Sequence, residues 1–177
     1  MIISYKSWKI LFLFCLGLFA GTAFCMKWME KAFIHNGSLF TIIGLEISYP
    51  REQVVSILSG LDGQVKTMLR HHPNFDFVFM LGDYPGIAAL CMMAREKTGS
   101  NILRQILFWL AFSQIIAWAC DVYENGSLLR WIKGPGTICG FGFYHLAVMV
   151  KWGLALTAAL LAIPLSFRKR RIDTQQV

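Results

Sequence analysis

Four long apolar segments constrain this 177-residue chain more than any other feature of its sequence. They are residues 10–26, 75–93, 106–123 and 143–167, and a helix needs about 17 to 25 apolar residues to cross a bilayer core of about 30 Å. With 56% hydrophobic and 15% charged residues, the chain is too apolar for a soluble domain. The sequence therefore predicts an all-α integral membrane protein, a four transmembrane helix bundle forming one domain over residues 1–177.

Basic residues flank these segments unevenly, and their distribution predicts the topology. Lys6 and Lys9 precede the first segment, Arg95 and Arg104 lie around the short loop after the second, and "RKRR" at residues 168–171 follows the fourth. The positive-inside rule places all three regions in the cytoplasm. We therefore expect a multi-pass protein of the inner (plasma) membrane with both termini cytoplasmic. The net charge of +7 is then a topology signal, and no nucleic-acid partner is expected.

The first segment also has the basic start and apolar core of a secretory signal peptide, with "GTA" ending at Ala23 as a cleavage site. Phe24 stands where a lipoprotein signal needs a small residue before Cys25. We expect the segment to be retained as a span. Gly17 and Gly21, four residues apart, predict a small-residue face through which this helix approaches a neighbour closely.

The loop at residues 27–74 contains a predicted amphipathic helix on the extracytoplasmic side. Pro50 stands where helices begin, and the apolar side chains of residues 54–61 recur on one face until Gly60 interrupts the pattern. Pro73 is expected to mark the start of the second span. Two interpretations stay open, a helix that packs over the bundle at the membrane surface and a lid over a cavity.

Three of the apolar segments carry pairs of polar residues seven apart, which places each pair on one helix face. The pairs are Asp76 with Asp83, Gln114 with Asp121, and Tyr144 with Lys151. A charged residue near the bilayer centre costs about 2.5 to 3.5 kcal/mol, so each needs a partner. The helical rise puts Asp83, Gln114 and Lys151 about 12 to 14 Å below the outer surface.

We therefore predict an outward-facing polar pocket whose floor is an Asp83–Lys151 ion pair and whose rim is formed by shallower acids. Its predicted ligand-binding residues are Asp76, Asp83, Tyr84, Gln114, Asp121, Glu124, Asn125, Tyr144, His145 and Lys151.

The leading functional interpretation is the binding of a lipid-like or other small amphiphilic ligand, for example an isoprenoid. Were the protein an enzyme, it would modify lipids or isoprenoids, with Asp121 or Glu124 as the acid or base. Two alternatives stay open: an ion- or proton-coupled transporter or channel built as an oligomer, and a structural or assembly subunit whose polar residues only hold helices in register. Membrane lipids are the expected partners, with a protein partner or homo-oligomer left open.

The sequence predicts neither a cofactor nor a metal site. His71 and His72 are adjacent, so their side chains point in different directions on a helix and form a poor chelate. The five cysteines show no CxxC and no metal-ligand spacing, which argues against a quinone-coupled redox relay. Cys25 and Cys139 both fall near the predicted outer face, and a disulfide between them is left open.

The short amphipathic helix is followed by "FDFVFMLGDYPGIAALCMM", "WACDVYENGSLLRW" and "KWGLALTAALL". This order, over residues 45–162, resembles a broad group of uncharacterised small four-span bacterial integral membrane proteins. The matching positions are Asp76, Phe79, Tyr84, Asp121, Glu124, Asn125 and Lys151. Asp83 departs from the group's pattern. The resemblance implies the fold and these site residues, and it transfers no reaction.

Overall fold

A computed structural model describes residues 4–135 and 138–168, and within these ranges the chain forms five α-helices. They are α1 (Tyr5–Met29), α2 (Arg51–Ser59), α3 (Gly63–Lys97), α4 (Asn101–Lys133) and α5 (Phe141–Ser166). A hairpin of β1 (Ile34–His35) and β2 (Ser38–Leu39) and a π-helical turn (Gly44–Ser48) lie between α1 and α2. Helices α1, α3, α4 and α5 are long and apolar enough to cross a membrane. The prediction of a helical chain with four candidate spans is confirmed.

Helices α1, α3 and α4 are longer than their apolar segments predicted, α3 and α4 by the most. Helix α3 begins at Gly63, because the Asp62 carboxylate accepts hydrogen bonds from the backbone N–H groups of Gln64 and Val65 at 2.8 and 2.9 Å. The helix continues through Pro73, so the prediction that this proline starts the span is wrong. At the same end of the bundle, α4 continues to Lys133, ten residues past its predicted end.

Helix α3 is the centre of the bundle and packs against α1, α4 and α5, while α4 and α5 also pack against each other. Helix α1 lies at the periphery, where it packs mainly on α3 and buries only Cys15 and Met29. Most of its apolar side chains therefore remain on the surface, as expected for a helix surrounded by lipid.

A glycine of α3 sets the crossing of α1 and α3. A Cβ atom added at Gly82 would lie 2.7 Å from the backbone nitrogen of Phe19 and 2.9 Å from the carbonyl oxygen of Cys15. Only a residue without a side chain permits this approach of two helix backbones. The predicted role of Gly17 and Gly21 is wrong, since a Cβ at either would meet no atom within 4 Å. Helix α1 is rotated so that Cys15 and Phe19 face α3.

The segment between α1 and α3, residues 30–62, forms a cap over one end of the bundle. Its hydrophobic core joins buried side chains of the cap to the ends of α3, α4 and α5, and includes Phe33, Phe40, Leu45, Val54, Leu58, Leu69, Leu128, Trp131 and Tyr144. The rings of Phe33 and Phe40 stack at 5.3 Å. Helix α2 buries Val54, Ile57 and Leu58 in this core and ends at Gly60. Its location on the outer side of the membrane stays a prediction.

Candidate functional site

The Lys151 side chain of α5 is buried among three carboxyl groups. Its Nζ lies 2.8 Å from Asp121 Oδ1, 2.5 Å from Glu124 Oε2 and 3.7 Å from Glu46 Oε2. Lys151 is only 7% exposed, and each of the three acids is buried as well. The ammonium group also lies 5.8 Å from the centroid of the Trp152 ring. One cation therefore joins α5 to α4 and to the cap.

Two side-chain hydrogen bonds connect α4 to α3. The Tyr84 hydroxyl donates to Asp121 Oδ2 at 2.7 Å, so both oxygens of Asp121 are engaged. The Asn125 amide donates to Asp76 Oδ2. Five polar side chains from α3, α4, α5 and the cap are thus joined around Lys151, and the Asp76–Asn125 pair forms a second, separate contact between α3 and α4. We call these seven residues the charged cluster: Glu46, Asp76, Tyr84, Asp121, Glu124, Asn125 and Lys151. Such networks satisfy polar groups that would be costly to leave unpaired inside a membrane.

The predicted Asp83–Lys151 ion pair is wrong. The half-buried Asp83 carboxylate forms no ion pair or hydrogen bond with any residue that the structure describes. The depth argument assumed that α4 ends near residue 123, which would place Asp121 at the helix end and at the rim of the predicted pocket. Because α4 continues to Lys133, Asp121 instead lies well within the helix. Lys151 therefore pairs with an acid that the depth argument had assigned to a shallower level.

Three other predicted site residues form no hydrogen bond or ion pair with the charged cluster among the described residues. Gln114 is buried and its amide donates to the Leu110 carbonyl of its own helix at 3.0 Å, so it does not clasp a second helix. The Tyr144 ring is buried against Trp131, with centroids 4.7 Å apart. His145 stacks on Phe141. Gln114 and His145 thus contact other neighbours, whereas Tyr144 shares a helix face with Lys151 and its buried hydroxyl has no hydrogen-bond partner among the described residues.

Glu46 is a member of the charged cluster that the sequence argument missed. It lies on the π-helical turn Gly44–Ser48, which packs against α5. Its signal was present in "TIIGLEIS", where a single acid interrupts an apolar run. A buried carboxylate needs a cationic or hydrogen-bonding partner, and Lys151 is the buried lysine among the described residues.

A groove of about 920 Å³ runs between α1, α3 and α5, and the charged cluster lies in the half of the groove nearer the cap. Most of its wall is apolar and includes Phe12, Leu16, Phe79, Ile87, Leu156 and Ala159. Glu46, Asp76, Asp83, Asp121 and Lys151 line the half nearer the cap, where Lys27, Glu30 and His72 lie beyond them, and Lys9 and Lys97 line the opposite end. Because Asp76 and Lys97 are 21 residues apart on α3, they lie roughly 30 Å apart along the groove at a rise of 1.5 Å per residue.

The two candidate acid–base residues differ in their access to this groove. Asp121 lines it, but both of its carboxylate oxygens already accept hydrogen bonds. Glu124 is 1% exposed and does not border the groove. Asp83, by contrast, borders the groove with an unpaired carboxylate. The acceptor most available to a ligand is therefore Asp83.

The described residues form neither a disulfide nor a candidate metal site. All five cysteines are free thiols, so the disulfide between Cys25 and Cys139 that the sequence left open is not formed. Within residues 4–135 and 138–168, no group of three or more histidine, cysteine, aspartate or glutamate side chains is placed to hold a metal ion.

No protein-family model, no curated protein and no solved structure matches this chain. What the charged cluster and the groove can do chemically therefore follows from their geometry alone.

Proposed function

We propose that this protein binds a lipid-like amphiphile inside the membrane, with the apolar chain in the groove and the head group at the charged cluster. One observation carries the proposal: a long, mainly apolar groove has a set of buried charged side chains in the half nearer the cap. An amphiphile has the same division into an apolar and a polar part. The cavity volume of about 920 Å³ also falls within the roughly 300 to 1,000 Å³ that is typical of small-molecule sites.

The arrangement of α1 supports access from the bilayer. Helix α1 forms one wall of the groove but is held mainly by its contact with α3 at Gly82. Its outer face consists of exposed apolar residues such as Ile10 and Phe14. A ligand dissolved in lipid can therefore reach the space between α1 and α5 without passing through water.

The charges at the polar end favour a head group that donates hydrogen bonds. The ammonium group of Lys151 is already shared by three carboxyl groups, whereas Asp83 has no partner among the described residues and Asp76 has only Asn125. A hydroxyl or amino head group would supply the missing donors. A phosphate would meet more carboxylates than cations at short range, where like charges repel strongly.

The proposal includes the topology expected from the basic residues. With both termini in the cytoplasm of a bacterial-type inner membrane, the charged cluster and the cap lie toward the outer leaflet. The resemblance to the four-span bacterial group also stays a prediction.

Native mass spectrometry of the purified protein tests this function. The wild-type protein is expected to retain one amphiphile per chain, which solvent extraction then identifies. Ala159 lines the groove, so Ala159→Trp places a bulky side chain in it and should remove the adduct. The matched control is Leu160→Trp, at the adjacent position, which is 71% exposed outside the groove and should leave the adduct in place. A bare mass for the wild type, or equal loss of the adduct in both variants, would contradict the proposal.

One observation favours a second candidate function, that of a structural or assembly subunit. Lys151, Asp121 and Tyr84 satisfy one another and join three helices without any ligand. Buried ion pairs can specify how helices assemble without doing chemistry. In that case no adduct is found, and variants of the charged cluster lower stability or the recovery of a partner protein instead.

A further inference from the structure

A second pocket lies at the opposite end of the bundle, where α3 ends and α4 begins. It has a volume of about 380 Å³ and is lined by Arg95, Asn101, Arg104, Gln105, Phe108 and Trp109. We call it the arginine pocket. It shares no residue with the groove, and its lining contains no acid. It lies on the side that the positive-inside rule assigns to the cytoplasm.

The two arginines of this pocket have no carboxylate partner in the described parts of the chain. The Arg95 Nε atom is buried without a hydrogen-bond partner, and the guanidinium group lies over the Phe108 ring at 5.7 Å. This ring contact holds the guanidinium at the pocket wall. A buried N–H group without an acceptor is costly, so the pocket lacks an acceptor that a ligand would supply.

The start of α4 adds to the positive potential. Ser100 caps the helix by accepting a hydrogen bond from the Leu103 N–H group, which leaves the backbone N–H groups of Asn101 and Ile102 without a partner in the helix. The positive end of the helix dipole then lies beside Arg104.

Polarity changes along the pocket in the direction of the helix axis. Trp109 is eight residues beyond Asn101, so it lies about 12 Å further along α4. It is 64% exposed, and Phe108 beside it is also exposed. Tryptophan side chains of this kind prefer the boundary between head groups and acyl chains. The pocket thus offers cationic donors at the start of α4 and an apolar aromatic surface about 12 Å further along the helix.

We infer that the arginine pocket binds the phosphate head group of an anionic phospholipid, with its acyl chains against Phe108 and Trp109. Arg95 and Arg104 supply the fork-shaped donors that suit phosphate oxygens. The two unpaired arginines attract a negatively charged head group. The adjoining surface of α4 is apolar and the helix is long enough to span the membrane, which favours a lipid over a protein as the occupant. This inference is independent of the ligand proposed for the groove.

Native mass spectrometry with added lipids tests the inference. The full chain in detergent is titrated with phosphatidylglycerol and with phosphatidylcholine that carry the same acyl chains. We expect the wild type to prefer phosphatidylglycerol, and Arg95→Gln/Arg104→Gln to weaken phosphatidylglycerol binding by about twenty-five-fold, about fivefold for each arginine. Phosphatidylcholine binding should fall much less, because the choline cation offsets the charge of its phosphate.

A matched control removes the same charge elsewhere. Lys66→Gln/Arg70→Gln also lowers the net charge by two but lies near the other end of α3, and it should bind phosphatidylglycerol like the wild type. Arg104→Gln alone changes one exposed side chain and should show the fivefold loss even if the double variant does not fold. If Lys66→Gln/Arg70→Gln lost as much phosphatidylglycerol affinity as Arg95→Gln/Arg104→Gln, the inference would be overturned, because the lipid would then be held by non-specific charge attraction.

Soluble glycerol 3-phosphate distinguishes a lipid from a free anion. We expect it to compete weakly, since it cannot contact Phe108 and Trp109. Competition at the affinity of the lipid itself would overturn the assignment to a phospholipid.

Discussion

Replacing Lys151 by methionine removes the cation of the charged cluster while keeping a side chain of similar length. Asp121, Glu124 and Glu46 would then face one another without a counterion, and all three are buried. Removing one partner of a buried ion pair typically costs about 3 to 5 kcal/mol, because the other partner stays buried and uncompensated. For a chain of this size, 1 kcal/mol corresponds to about 2 to 4 °C in Tm. We therefore expect a fall of roughly 6 to 20 °C.

The assay is thermal unfolding in detergent, followed by circular dichroism. Lys151→Arg, which keeps the charge, should lose less than Lys151→Met. Among the acids, Glu46→Gln should lose least, because its oxygen is 3.7 Å from Nζ whereas those of Asp121 and Glu124 are at 2.8 and 2.5 Å. The combined variant Lys151→Met/Glu124→Gln should recover part of the loss, since it relieves repulsion between acids. A Tm for Lys151→Met within about 2 °C of the wild type would refute this reasoning.

Three further predictions concern the packing around the site. Gly82→Ala places a Cβ against the backbone of α1, so it should loosen α1 and speed its proteolysis, whereas Gly17→Ala, with open space around it, should not. Phe33→Ala removes a fully buried ring of the cap core and should lower the free energy of unfolding by about 3 to 5 kcal/mol in denaturant titrations; Phe24→Ala, exposed on α1, should change it little. Asp62→Ala removes the N-cap of α3 and should cost about 0.5 to 2 kcal/mol in the same titration, and an unchanged midpoint would contradict the capping role.

The spanning helices were predictable because their signal is local. A run of apolar residues of the right length is enough to indicate a candidate span, and all four were found. The ends were less predictable. In α4 the polar residues from Asp121 to Asn125 and the following Gly126 are typical of a helix end, but Leu128, Trp131 and Ile132 are buried against the cap, and this packing extends the helix to Lys133.

The members of the site were partly predictable, but their pairing was not. The cost of charges in a membrane identified Asp76, Asp121, Glu124 and Lys151 as residues that need partners, and the structure places all four in the charged cluster. Which acid meets the lysine depends on helix rotation and on where each helix ends. Helix rotation and helix ends depend on tertiary packing, and the spacing of polar residues in the sequence determines neither of them.

The close approach of α1 and α3 shows the same limit. Two small-residue patterns exist, one at Gly17 and Gly21 and one at Gly82 and Gly86. Both satisfy the spacing rule for helix contact, yet only the second meets a neighbouring helix.

The measurement that tests the central claim most directly is the ratio of two affinities, those of hexadecylamine and hexadecyl phosphate for the purified protein. The two probes share one apolar chain and differ only in the head group that would lie at the charged cluster. The excess of carboxyl groups over Lys151, together with the unpaired Asp83, predicts that the amine binds at least about tenfold more tightly, equivalent to 1.4 kcal/mol, and that Asp83→Asn reduces this preference. Equal affinities, or tighter binding of the phosphate, would contradict the account.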